Sequence, residues 1–541
     1  MSIAANTGQA GASGLQEVTS PDVAALFQQG LRMAAGLDYP GAVTFYEQAL
    51  RSLPPELDRD VIELRLEYAE SCLVIGRWDR AHRELQRLQE LHQGDPLPLD
   101  LSIRIQVDLG EFYAGRGELD EAKAAYQAGR ALASASSHWL LVCLVRLASL
   151  AGQTGEMDDA LQLLETADRH VLGQPAATSE GFELAAALEA QWGLYNFRLA
   201  KNRQAEQKFE SALAIIGKAE RVSLEQASIY RYLGVMASLR REHREALEHH
   251  LAALRIYLKA GCRYGQAKVY DSIGRTFLAA NRLDEAVHTF KRSEQLCRRL
   301  GAQAELATLY GKLGQVSMLR EDFEGAIRHF RRDLEMSSKF RNYYALGYSY
   351  RNLGRCLLQL GRYQEALTNL KESLGLFQYV DDSLNRARVH MDIGYAHAKA
   401  NQLVEAEESS RRARSLFQEH GLARELAFLE CLDGILHRER GEGEAAEQCF
   451  MHCIGALCGR GSEVWLAETY YELGMLFRGR NQTSQAVEAF QSAIRTARSA
   501  GLSRQVGRYL TELESLDEIE LFQVWREDLP LHGESGEKGP G

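Results

Sequence analysis

Residues 270–290 read YDSIGRTFLAANRLDEAVHTF, residues 310–330 read YGKLGQVSMLREDFEGAIRHF and residues 350–370 read YRNLGRCLLQLGRYQEALTNL. Laid over one another, they share a leading Tyr, then Gly274, Gly314 or Gly354, then Ala286, Ala326 or Ala366. The grid extends both ways. Gly234, Gly394, Gly434 and Gly474 keep the same 40-residue step, with Ala246, Ala406, Ala446 and Ala486 twelve positions on. Seven residues further comes a mostly small side chain: Ala253, Ser293, Asp333, Ser373, Ala413, Cys453 and Ala493. Self-similarity at a fixed period of this length is the signature of stacked repeats.

Upstream the step is looser. Gly30 pairs with Ala42, Ala69 with Ala81, Gly110 with Ala122, Ala148 with Ala160 and Gly193 with Ala205. Twelve units run from about Pro21 to about Ala500. Apolar residues surround the small ones at helical spacing. Tyr230, Tyr270, Tyr310, Tyr350 and Tyr470 stand four places before the Gly, and Phe290, Phe330, Leu370, Phe450 and Phe490 sit in the second half of the unit. Asn281, Gly361, Asn401, Gly441 and Asn481 close the first half, and Gly261, Gly301, Gly421, Gly461 and Gly501 the second. Gly and Asn accept the left-handed turn that ends a helix. Each unit therefore predicts helix, turn, helix, turn. Small residues let paired helices approach closely, and stacking completes a core that one pair cannot bury.

The pattern resembles the tetratricopeptide repeat: Tyr270, Ile273, Gly274, Phe277, Ala286 and Phe290 in one unit, Tyr350, Leu353, Gly354 and Ala366 in another. The 40-residue period is similar to the longer-helix subclass of kinesin light chains, Pins-type adaptors and Rap-type bacterial receptors. The resemblance implies an all-α, right-handed α-solenoid of about twelve helix pairs plus a C-terminal capping helix. The expected layout is a disordered segment over 1–20, the solenoid over 21–500, a capping helix over 501–527 and a loose tail over 528–541. Residues 173–180 read as the one longer internal loop.

Composition narrows the function. With 63 Lys and Arg against 74 Asp and Glu, the net charge is −11. That disfavours nucleic acid as a partner, because such binders carry basic faces. Nine scattered cysteines without a CxxC pair fit reduced thiols and a cytoplasmic setting. No stretch approaches the ~20 apolar residues that cross a bilayer. No phosphate-binding loop, nucleophile elbow, zinc-protease or kinase motif is present, so no enzyme and no cofactor are expected.

By the resemblance, the first helix of each pair lines a concave groove, with groove positions six and three residues before the Gly and one and four after it. Residues 336–364 contain no Asp or Glu but carry Lys339, Arg341, Arg351, Arg355 and Arg362. Arg231, Lys268, Arg275, Lys312 and Arg388 come from neighbouring units, and Tyr348, Asn352 and Tyr395 complete the candidate set. Guanidinium forks suit planar anions, so the expected partner is a protein or peptide, acidic or carboxylate-bearing. The competing reading is that these cations are solvated or paired with Asp271, Asp392 or Glu324. A ladder of Asn beside the repeat Gly, common in peptide-binding relatives, is nearly absent: the positions read Tyr232, Ser272, Lys312, Asn352, Asp392, Leu432 and Glu472.

Cys449, His452 and Cys453 share one helix face near Gly434, in metal-like spacing. Packing is the stronger reading, since Cys453 holds the small position of its repeat. The leading function is an interaction scaffold; the alternative is a sensor whose superhelix changes pitch on binding an acidic peptide or a small anion. The residues leave oligomeric state open.

Overall fold

The computed structural model describes residues 21–516, apart from 53–58, 92–96, 134–137, 172–177, 220, 341 and 460–461. Among the described residues there are α-helices and one short 3-10 turn, Ser338–Phe340, and no strand. The helices come in twelve pairs followed by a single last helix. The first seven pairs are α1 (Pro21–Ala35) with α2 (Tyr39–Arg51), α3 (Arg59–Ile75) with α4 (Trp78–Leu91), α5 (Leu99–Arg116) with α6 (Leu119–Leu132), α7 (His138–Thr154) with α8 (Met157–Val171), α9 (Ser179–Arg198) with α10 (Asn202–Ile216), α11 (Leu224–Leu239) with α12 (His243–Lys259), and α13 (Arg263–Ala279) with α14 (Leu283–Leu300). Then come α15 (Gln303–Leu319) with α16 (Phe323–Ser337), α17 (Tyr343–Gln359) with α18 (Tyr363–Tyr379), α19 (Ser383–Lys399) with α20 (Leu403–Glu419), α21 (Ala423–Glu439) with α22 (Gly443–Leu457), and α23 (Glu463–Gly479) with α24 (Thr483–Ser499), closed by α25 (Ser503–Glu514). This is the all-α repeat solenoid expected from the sequence.

The expected segment 1–20, the tail 528–541 and residues 517–527 of the expected capping helix lie outside the described residues. So does most of the expected loop over 173–180, although α9 already begins at Ser179.

One contact recurs from pair to pair. In most units the ring or leucine sixteen places after the small residue lies over it; in the Gly394 unit that place is Ser410, and Leu432 of the next repeat lies nearest the glycine instead. A Cβ on Gly274 would fall 2.5 Å from Phe290 Cε1, and one on Gly193, Gly434 or Gly474 would fall 2.6 Å from Phe209, Phe450 or Phe490. Gly30 and Gly110 meet Tyr46 and Tyr126 in the same way. Alanine takes this place in only two units, Ala69 and Ala148, and there the residue sixteen on is a leucine, Leu85 or Leu164, in the same core cluster. An aromatic ring needs the missing Cβ; a leucine leaves room for it at Ala69 and Ala148 but not at Gly354, where an added Cβ would fall 2.7 Å from Leu370 Cγ.

The turns are left-handed. Asn281, Asn401 and Asn481 hold φ of 56–58°, and Gly361 and Gly441 hold 72° and 80°. Gly261, Gly301, Gly421 and Gly501 do the same at the ends of second helices.

The chain forms two compact units, residues 21–316 with 332–342 and residues 317–331 with 343–516. In the first, the row of repeats bends until its loops meet. Helix α3 packs on α13, and the Trp78 ring stands edge-on to Tyr264 at 5.6 Å. Gly76 lies against Leu300, Gly117 against Ala304 and Gly261 against Pro40, all too close for a Cβ. In the second unit α25 returns to the unit's first turn: the Arg504 backbone N–H donates to Glu321 Oε2 at 2.5 Å, and its guanidinium stands 5.4 Å from the Phe323 ring centroid.

His250 breaks the aromatic series. It lies over Gly234, is wholly buried, and neither ring nitrogen has a hydrogen bond. Burial pushes its pKa down to about 3, so it is neutral. His250→Phe is expected to raise stability by roughly 1–2 kcal/mol, because it removes two unsatisfied buried nitrogens and restores the contact seen at Gly274. Gly274→Ala is expected to lower it by ~1–3 kcal/mol through overpacking. Urea denaturation followed by circular dichroism measures both.

Candidate functional site

The first helices of successive pairs touch one another, and their facing side chains are polar far more often than a core allows. Hydrogen bonds at a fixed register explain this. Lys312 Nζ donates to Asp271 Oδ1 at 2.6 Å, and Arg351 Nε donates to Asp392 Oδ2 at 2.6 Å. Each pair runs from three places before one Gly to two places before the next, with the charges reversed.

In the first unit the predicted cations are engaged. Arg275 Nε lies 3.4 Å from Asp271, which thus faces two cations. Burial works to raise the Asp271 carboxyl, but Lys312 and Arg275 outweigh it and hold the group below its usual range. Lys268 sits 4.3 Å above the Tyr264 ring and Arg231 4.2 Å above that of Tyr232, both cation–π stacks. Deeper in, Arg104 donates to Glu67 and Glu70, each at 2.7 Å. Asp108 beside them is 4% exposed with an unbonded Oδ2, and burial, with Glu70 adding, pushes its pKa well above the usual carboxylate range. Three carboxyls and one guanidinium in a dry site carry surplus negative charge, and a proton on Asp108 removes part of it.

In the second unit, Tyr344, Tyr348, Arg351 and Arg355 form one stripe along α17 at i, i+4, i+7 and i+11. Tyr348 accepts from Asn385 Nδ2 at 2.8 Å, and its ring stands edge-on to Tyr344 at 5.1 Å. Arg351 is tied to Asp392, and Arg388 lies 3.6 Å from the buried Glu425. Arg355 differs. Half-buried beside Arg351 and Asp392, it makes no hydrogen bond or ion pair among the described residues. Burial depresses its pKa, with Asp392 opposing. Asn352, on the same helix, is also without a hydrogen bond among the described residues. Of the acid-free stretch, Arg362 pairs with Glu365 at 2.7 Å and reaches Glu324 at 3.9 Å, while Arg341 lies outside the described residues.

Tyr395 belongs to a cluster the sequence reading missed. Its hydroxyl donates to Glu468 at 2.7 Å, and Tyr509 donates to the other oxygen of that carboxylate at 3.0 Å. Arg508 approaches Glu468 at 3.6 Å and stacks 4.1 Å over the Tyr471 ring. The wholly buried Glu472 is held by Lys399 and, at 2.5 Å, by Arg438. Against the cost of its burial, those two cations keep Glu472 ionised, with a pKa of about 2. Glu468, Arg438 and Arg508 stand at groove positions of the later repeats, so the repeat grid held the signal.

Cys453 is buried, and its sulfur lies 3.4 Å from Thr469 Oγ1; His452 is exposed. Among the described residues no group of three or more His, Cys, Asp or Glu is disposed to hold a metal ion. No described helix is long and apolar enough to cross a membrane.

Glu472→Gln leaves Lys399 and Arg438 facing a neutral amide. The expected loss is ~3–5 kcal/mol, as for other broken buried ion pairs, read as an earlier urea midpoint. Asp108→Asn keeps the shape and takes negative charge from a site that holds a surplus of it, and is expected to change stability at pH 7 by less than about 1 kcal/mol.

A tetratricopeptide-repeat family model matches residues 225–299, 305–378 and 350–419, and a second one matches 467–499. A model described as 26S proteasome subunit RPN7 matches 77–245. No curated protein sequence matches the chain. Among solved structures, the apo quorum sensor NprR from B. thuringiensis is similar at 16% identity and a TM-score of 0.50, over 64% of this chain and 98% of that one. The Rap conjugation gene regulator of plasmid pLS20, in complex with the Phr* peptide, aligns at 16% identity and 0.42, over 63% and 94%. The anaphase-promoting-complex hetero-tetramer Cut9–Hcn1 aligns at 13% and 0.44, over 93% and 99%. At 16% identity the likeness to NprR is one of fold.

Proposed function

We propose, from the premise that this chain is a tetratricopeptide-repeat protein, that it is an interaction scaffold which holds a protein or peptide on the inner face of its first helices and catalyses no reaction. One observation carries the finer reading. Beside Arg351 and Asp392, which satisfy each other, Arg355 and Asn352 of α17 keep unused donors. A desolvated guanidinium without an acceptor is costly, and a ligand carboxylate supplies what is missing. The paired Arg351 fixes α17 against α19, so the open donors sit on a rigid element. Tyr344, 48% exposed, adds a ring to the same stripe. Arg231, Lys268, Arg275, Lys312 and Arg388 then act chiefly by holding the inner face together.

The sensor reading has one observation in its favour. The contacts that close the second unit, from α19 to α23 and α25 through Glu468 and Glu472, are ionic. An anion that competes for Lys399 or Arg508 would loosen the same contacts. Small-angle scattering with and without a glutamate-rich peptide separates the two readings, since a scaffold keeps its radius of gyration.

The direct test is anisotropy of a fluorescein-labelled hexaglutamate peptide. Arg355→Glu is expected to weaken its binding at least tenfold, and Asn352→Ala a few-fold, with far-UV circular dichroism unchanged. Equal binding by the parent and Arg355→Glu chains would move the site away from α17.

A further inference from the structure

The contact that closes the first unit at its N-terminal end is built unlike its neighbours. The turn between α1 and α2 comes down on the connector between α10 and α11. Together with α9 they enclose a cavity lined by Ala34, Leu37, Tyr39, Glu183, Arg221 and Leu224. Leu37 forms part of its wall in a left-handed conformation, φ 64°, where the matching turns of the next two repeats use Gly76 and Gly117. That conformation is unfavourable for a leucine, so the packing of its side chain, 5% exposed, must hold it there. The other closing contacts described above, Pro40 with Gly261, Gly76 with Leu300 and Gly117 with Ala304, set apolar side chains against a glycine, and the acid beside them, Glu305, accepts a hydrogen bond from Tyr264.

This one contains Glu183, 2% exposed. Its one hydrogen bond comes from Arg221 Nε at 3.3 Å, and the Arg221 side chain is itself 21% exposed. The other titratable groups facing it do not help a negative charge. Glu225 of α11 and Glu180 of α9 oppose it, Tyr39 of α2 lines the cavity, and Arg146 of α7 is committed to Glu111 at 2.6 Å. A neutral carboxyl suits a buried place with so few partners; a carboxylate with one long hydrogen bond does not.

We propose that this seam is a pH-gated latch, holding the first repeat against the fifth and sixth while Glu183 keeps its proton and releasing it as Glu183 ionises. Burial, only partly opposed by Arg221, raises the Glu183 pKa from the ordinary 4.5 to about 7. Opening the seam returns the group to water and to its ordinary range. A carboxyl whose closed-state pKa lies above its open-state value favours closure fully below pH ~4.5 and gives that preference up as pH rises to ~7. Between pH 5 and pH 8 the opening equilibrium should shift toward the open form by on the order of 50-fold. Opening frees α1 and α2 from the connector and exposes the inner ends of α9 and α11, which makes access to this part of the inner face pH-dependent. The inference is independent of the Arg355 site.

The test is amide hydrogen exchange by mass spectrometry on the full chain from pH 5 to pH 8, corrected for the intrinsic pH dependence of exchange. Peptides spanning residues 33–47 report the seam, and those from α17 serve as control. The parent chain should show seam exchange rising some tens of fold while α17 stays flat. Glu183→Gln, nearly isosteric and always neutral, should hold the seam closed across the range. Arg221→Gln should open it more readily at pH 8 than the parent, since the carboxylate loses its one partner. A flat parent profile overturns the proposal, and so does a Glu183→Gln profile that rises like the parent's. If Glu183→Gln disturbs helicity, Arg221→Gln decides alone: a profile identical to the parent's overturns the latch.

Discussion

Most of the helix pairs in this protein depend on the seat of a ring, or of a leucine, on a place in the facing helix where the side chain is absent or is a single methyl. The contact fixes how near two helices of a pair can come, since the interhelical distance is set by the side chains at the crossing. It also fixes their register, because the ring can enter only where the Cβ is missing. Ala69 and Ala148 show that a methyl can be accommodated at this place, although Gly354, facing Leu370, has no room for one. Alanine is used where Leu85 or Leu164 takes the place of the ring. Repeated down the chain, this one distance makes the pairs alike enough to stack, and stacking gives each pair the burial it lacks alone.

Close, uniform stacking has a second consequence. The first helices of neighbouring repeats stand near enough for side chains to reach across, and the reach is polar. Lys312 with Asp271, Arg351 with Asp392, and Arg104 with Glu67 and Glu70 stitch one repeat to the next. Such pairs add little net stability after desolvation, yet breaking one is expensive, so they act mainly to enforce register. In the second unit the reach extends over two repeats, from Tyr395 and Lys399 to Glu468 and Glu472. A surface built this way pairs many of its own charges. Groups left over, such as Arg355 and Asn352, stand out because their neighbours are paired.

The same economy separates what the sequence could show of the site from what it hid. Groove positions could be counted from the repeat Gly, and Arg351, Arg355, Tyr348 and Tyr395 do lie on first helices. Arg351 and Arg355 look equivalent in the sequence, one turn apart with the same charge. Which of them is free depends on Asp392, forty-one residues from Arg351, and on no residue within reach of Arg355. The cluster around Glu468 and Glu472 went unseen because acidic residues on a helix read as solvated, and only the curvature of the unit buries them.

By itself the sequence determined the pairs, their number, their turns and the residues at each contact, because these depend on spacing within one unit and between adjacent units, and spacing is what a repeat displays. The tertiary structure alone decided which charges are paired, which are spare, and where the loops of distant repeats meet. Those outcomes depend on the small rotation between stacked pairs, accumulated over five repeats, until Leu37 meets Glu183 and Arg504 meets Glu321. No residue encodes that sum; it appears only when every contact has been made.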